Sequence, residues 1–142
     1  MNIYFACSIT GGREFEPVCQ AITAALLADS HEVPTSHIAG ADVKTLESAV
    51  PPREVYERDT AWIRTCDALV AEVSTPSHGV GYEIAFALNL GKRVLCLYRE
   101  GRPVSKMITG NSASNLHVAV YHDAQAAIQV VRTFLNLPSV DL

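Results

Sequence analysis

Two hydrophobic periodicities alternate along the chain. The short apolar runs NIYFACS, ALVAEVS and KRVLCLYR, each bounded by turn residues, have the pattern of strands covered on both faces, and HVAVYH reads as an edge strand. Between them, apolar residues recur every third and fourth position in FEPVCQAITAALLADS, REVYERDTAWIRTC, YEIAFALNLGK and DAQAAIQVVRTFLNL, which predicts four helices. A further short extended run, HEVPTS, follows the first helix, and RPVSKMITG reads as a short helix or turn. From residue 37 to 52 the pattern weakens, and the double proline at 51 and 52 suits a loop feeding a new helix. Five strands joined by helical crossovers predict an α/β fold: a doubly wound, Rossmann-like, five-stranded parallel sheet flanked by helices. Its binding crevice is expected beyond the carboxyl ends of the strands.

Length and charge narrow this picture without redirecting it. The 142 residues suit one domain, expected to span 1–142, with enough chain to bury a core. Eleven basic against 15 acidic residues and a formal charge of -4 argue against duplex nucleic acid as a partner. The apolar start lacks the basic flank of a leader, and no run is long enough to span a membrane, so a cytoplasmic protein is expected. Cys7, Cys19, Cys66 and Cys96 are far apart with no CxxC spacing, which favours buried reduced thiols over a metal site or disulfides.

The polar residues gather where the fold class places its crevice. SITGGRE follows the first strand and STPSHGVGYE follows ALVAEVS; both are read as glycine-rich turns opening helices. Free amides, serine hydroxyls and the helix dipole make such turns suited to anions, and phosphate is the expected occupant. Neither turn is a Walker loop or a GxGxxG fingerprint. Glu83, read as lying in the first turn of an apolar helix, faces the crevice on this reading, where an unused carboxylate would be costly. Asp59 lies on the helix leading into the same central strand, whereas Glu54, Glu57 and Asp67 read as solvated. Two carboxylates beside a phosphate cradle suggest glycosidic chemistry.

IYFACSITGGRE, ERDTAW, AEVSTPSHGVGYEIAFA, GKRVLCLYR and VSKMITG together resemble the 2′-deoxynucleoside 5′-monophosphate N-glycosidases, relatives of the nucleoside 2-deoxyribosyltransferases. The resemblance implies hydrolysis of a deoxynucleoside monophosphate to free base and 2-deoxyribose 5-phosphate by a homodimer, with no metal or organic cofactor. It makes Glu83 the nucleophile at C1′, Asp59 the acid that binds the sugar or the departing base, and Tyr4, at the end of the first strand, the phenol that orients Glu83. Ser8, Ile9, Gly11 and Gly12, with Ser77 and Gly79, would cradle the phosphate, and Ser105 would reach the phosphate of the neighbouring subunit. Thr10 stands where the family pattern has arginine, removing a charge-assisted contact worth about 1.5 to 3 kcal/mol. Arg13 either compensates for it or caps the loop. His37 either contacts the base or is structural.

Three other readings stay open on the residues: a deoxyribosyltransferase, a ribonucleotide-specific N-glycosidase, and a non-catalytic nucleotide sensor. The serines at 77 and 105 favour a phosphorylated substrate, and a sensor has no use for an anion beside the sugar.

Overall fold

All residues of β1 (Ile3–Ala6) and β2 (Ala68–Glu72) are buried, as unbroken apolar runs require, and in β3 (Arg93–Arg99) the four central residues are buried as well. With β4 (Leu116–Tyr121) they form one parallel sheet in the order β1-β2-β3-β4 in the computed structural model, which describes residues 1–137. The single-domain expectation runs to residue 142; residues 138–142 lie outside the described residues.

Alternate strand residues feed two cores. Ile3, Phe5, Val70, Leu95 and Leu97 pack against α1 (Glu16–Ala28) and, past the intervening short elements, α6 (Ala124–Asn136). Tyr4, Ala6, Leu69, Ala71, Val94 and Cys96 pack on the opposite face against α3 (Pro52–Thr65) and α4 (His78–Asn89). A fully buried side chain of this size contributes about 1.5–3 kcal/mol, so both layers hold the sheet strongly. Among the described residues no helix is long and apolar enough to cross a membrane. All four cysteines are free and buried, as their spacing predicts.

The sheet has four strands, not five. HEVPTS contributes one parallel bridge, Asn2 to Glu32, with Ile3 N donating to Glu32 O at 2.8 Å. Pro34 then removes a donor and the chain turns into a 3-10 helix at Ser36–Ala39. The next outward donor of β1, Phe5 N, goes to the Thr35 hydroxyl at 2.9 Å, so a side chain takes the place of a fifth strand. The bridge still lies on the far side of β1 from β2, so the chain reverses direction across the sheet at the β1–β2 junction. That reversal opens the crevice.

Residues 37–52, expected to be a loop, hold the 3-10 turn and α2 (Val43–Ser48). Val43 is the one buried residue of α2, so no apolar stripe was there to be read. The last short helix is α5 (Lys106–Thr109).

Candidate active site

A cavity of about 480 Å³ opens at the carboxyl ends of β1 and β2, where the chain reversal predicts it. Glu83, Tyr4 and Asp59 line it together with Ile9 and Thr10 from the first loop and Ser77 and Gly79 from the second. Ser8, Gly11, Gly12 and Ser105 are not on its wall.

Glu83 is set deeper in its helix than the glycine spacing suggests. Ser77 is the N-cap of α4, its hydroxyl accepting from Val80 N at 3.4 Å, so Gly79 and Gly81 are helical and Glu83 is the sixth helical residue. It therefore lies beyond the first turn, where the dipole would favour an anion most. Burial dominates instead: it pushes the Glu83 carboxyl up to about 7, against the pull of the Tyr4 hydrogen bond, with the Asp59 charge adding to the rise. The Tyr4 hydroxyl donates to Glu83 Oε1 at 2.7 Å. Tyr4 is the second residue of β1 rather than its last, and is 1% exposed. Burial first, then the neighbouring Glu83, raises its phenol far above the ordinary range, so it serves as a donor and not as an acid.

Asp59 Oδ1 accepts from Arg58 Nε at 2.8 Å. The two terminal nitrogens of Arg58 reach Glu47 Oε1 and Oε2, both at 3.1 Å, and His37 Nε2 meets Glu47 Oε1 at 2.8 Å. Arg58 also stacks over the Trp62 ring at 5.0 Å. Burial works against charge on Glu47, yet the Arg58 and His37 hydrogen bonds hold its carboxyl below the usual range. Neither Glu47 nor Arg58 stood out in the sequence, because their pairing spans 11 residues and two helices; the one available signal was a basic residue directly before Asp59. His37, left open between two readings, lies on the cavity wall within this network.

The two loops touch. A Cβ on Gly11 would come within 2.4 Å of Pro76 O and 2.8 Å of Ser8 Oγ, so only glycine lets the first loop pack on the second. Gly12 has φ +140°, again a glycine conformation. Ser8 Oγ is buried without a hydrogen-bond partner and lines a hollow of about 10 Å³ behind the loop. Arg13 donates to Ser8 O, Ile38 O, Ala39 O and Gly40 O and pairs with Glu16, so it ties the loop down and is absent from the cavity wall. Compensation for Thr10 by Arg13 is not what this geometry provides. The first amides of α4, which no helical carbonyl can satisfy, lie beside Ser77 and Gly79 at the cavity wall. Ser105 caps α5 on the surface, accepting from Met107 N at 3.2 Å. No cluster of metal-ligating side chains occurs among the described residues.

Residues 3–136 match the profile described as nucleoside 2-deoxyribosyltransferase. The chain is 39% identical over 138 residues to the 5-hydroxymethyl-dUMP N-hydrolase of Mus musculus, covering 94% of this chain and 79% of that one. It is 39% identical over 144 residues to a Thermofilum pendens protein provisionally named 2′-deoxynucleoside 5′-phosphate N-hydrolase 1, covering 100% and 99% of the two chains. Among solved structures, the Clostridium botulinum CMP N-glycosidase superposes with a TM-score of 0.69 over 93% of this chain and 99% of that one at 21% identity, a likeness of fold. With the matched profile spanning both loops, the Tyr4–Glu83 pair and all four strands, the chain belongs to the nucleoside 2-deoxyribosyltransferase family.

Proposed function

We propose that this protein is an N-glycosidase that hydrolyses 2′-deoxynucleoside 5′-monophosphates to the free base and 2-deoxyribose 5-phosphate, through one domain spanning 1–142. The observation that carries the reading is the Tyr4–Glu83 hydrogen bond of 2.7 Å on the wall of a cavity that is also lined by residues of two loops suited to a phosphate. The names of the relatives at 39% identity support the reaction class.

In this reading Tyr4 holds Glu83 Oε1 and leaves Oε2 to attack C1′. The C1′–N bond breaks, its electron pair leaves with the base, and a glutamyl sugar ester forms. Asp59 Oδ1 is held by Arg58, which leaves Oδ2 to bind the sugar or the departing base and to assist its protonation. Water then replaces Glu83 at C1′; one of its hydrogens ends on the base and the other on the new anomeric hydroxyl. The steps use side chains, substrate and water alone. A 2′-deoxy sugar is favoured because an electron-withdrawing 2′-hydroxyl would oppose the positive character at C1′.

Ile9, Thr10, Ser77 and Gly79 hold the 5′-phosphate at the wall, while Ser8, Gly11 and Gly12 shape the first loop from behind. Ser105 acts in the neighbouring site of a homodimer. Exposed apolar side chains support a dimer: Met107, two residues from Ser105, is 84% exposed, and Tyr56 and Tyr82, which line the cavity, are each about half exposed. Buried free thiols suit a reducing compartment, and the cytoplasm is the proposed location.

The test is a panel of deoxy- and ribonucleoside monophosphates with their parent nucleosides, followed for base release by chromatography. Release from the phosphorylated deoxy substrates alone is the expected result. Turnover only with an added acceptor base would make the protein a transferase, ribonucleotide turnover would reassign the sugar, and binding without turnover would make it a sensor.

A further inference from the structure

Glu47 sits at the centre of the polar network on the cavity wall, and α2 has little else to hold it. Of its six residues only Val43 is buried, and Lys44, Thr45, Leu46 and Ser48 are exposed. Yet the Glu47 side chain is 14% exposed and accepts three hydrogen bonds, two from the forked end of Arg58 and one from His37. The fork fixes the plane of the guanidinium, whose central carbon lies over the Trp62 ring at 5.0 Å, and so fixes where Nε points. Nε points at Asp59, and all three nitrogens of Arg58 are then committed. Asp59 and Arg58 are also the charges felt by Glu83 from α3, and Tyr4 faces it from β1.

We infer that Glu47 is a positioning residue of this site: it locks Arg58, and through Arg58 the Asp59 carboxylate, beside the Tyr4–Glu83 pair. The inference rests on the hydrolase reading for its kinetic consequence but not for its geometry. Without Glu47 the guanidinium loses two of its three hydrogen-bonded partner contacts and can rotate off Asp59. Substrate still enters the cavity, but the acid that meets the sugar or base is no longer held in place. A misplacement of this kind is felt in turnover more than in binding.

The experiment compares Glu47→Ala, Glu47→Gln, Arg58→Ala and the Glu47→Ala/Arg58→Ala double variant, each checked by thermal melting. Glu47→Gln keeps the side-chain volume in case Glu47→Ala does not fold. With a 2′-deoxynucleoside 5′-monophosphate, Glu47→Ala is expected to lower kcat about 10- to 100-fold with KM within about threefold, and the double variant to be no worse than Arg58→Ala alone. A carbon-detected NMR titration of Glu83 gives a readout that needs no turnover. Its midpoint is expected to move up in both Glu47 variants, because an Asp59 carboxylate no longer held on Arg58 repels the charged form of Glu83 more strongly. Unchanged kcat in the folded variants, losses that multiply in the double variant, or a Glu83 midpoint that stays in place would each overturn the inference. If the native protein hydrolyses nothing in the panel, the hydrolase reading fails, and the NMR titration alone decides the role of Glu47.

Discussion

Two tyrosine–glutamate pairs stand at the carboxyl end of the sheet, one on each face. On the α3/α4 face the Tyr4 hydroxyl donates to Glu83 Oε1 at 2.7 Å; on the α1/α6 face the Tyr121 hydroxyl donates to Glu72 Oε1 at 3.0 Å. Burial is the leading cause of a raised carboxyl in both. They differ in what surrounds them. Glu72 is 2% exposed, accepts also from the amide and hydroxyl of Ser74, and borders a hollow of about 10 Å³, room for one water at most. Glu83 accepts only from Tyr4 among the described residues and borders about 480 Å³. Three donors on one oxygen and a hollow too small for a substrate make Glu72 a structural tie, whereas a single donor and an open cavity leave Glu83 available for chemistry.

Substituting each acid in turn separates the two sites most strongly. Glu83→Gln is expected to lower kcat by at least about a thousandfold, the scale of losing a nucleophile, while folded Glu72→Gln keeps kcat within about threefold. Equal losses in the two variants, measured by base release, would erase the distinction. The tyrosines come next. Tyr4→Phe should cost about 10- to 100-fold in kcat/KM and move the acid limb of its pH profile upward, since the lost hydrogen bond was the main influence lowering the Glu83 carboxyl. In the native protein that limb should have its midpoint at about 7, with activity rising as Glu83 ionises. A pH profile flat from 5 to 9 would remove Glu83 from the rate equation.

Stability provides a smaller contrast. Because the folded Glu83 carboxyl titrates at about 7 and its ordinary value is 4.5, the folded state holds the proton more tightly between those values. Its contribution is therefore most favourable below 4.5 and is lost as pH rises through 7. Glu83→Gln, which does not titrate, should gain roughly 2 kcal/mol over the native protein at pH 8 relative to its margin at pH 4.5, read by urea unfolding at both values. The smallest effect belongs to Tyr121→Phe, expected to cost about 1 kcal/mol of stability with kcat unchanged, since it removes one of three donors to an inaccessible acid.

Legibility in the sequence followed burial. β1, β2 and β3 bury whole or central runs and the helices α1, α3, α4 and α6 each bury part of one face, and burial of that kind is written as periodicity, while β4 at the sheet edge buries only Tyr121. HEVPTS had the composition of a strand but carried Pro34, and Thr35 satisfied the donor that a strand would have taken. The six residues of α2 bury one side chain, too few for a period to form. Glu83 was misplaced by about one turn because Gly79 and Gly81 were read as a turn, when the Ser77 hydroxyl caps the helix ahead of them.

Residue order alone was enough for the α/β class, for the end of the sheet where the crevice lies and for the glycine-rich loops and the acid read as facing it, because strand alternation and helix punctuation are local; Tyr4 beside Glu83 was expected only from the family resemblance. Packing alone decided that Tyr4 reaches across 79 positions to Glu83, that Arg13 ties down a loop rather than facing the cavity, and that Glu47 and Arg58 join the site. Those outcomes depend on hydrogen-bond distances between segments remote in the chain, and no pattern within a single segment encodes them.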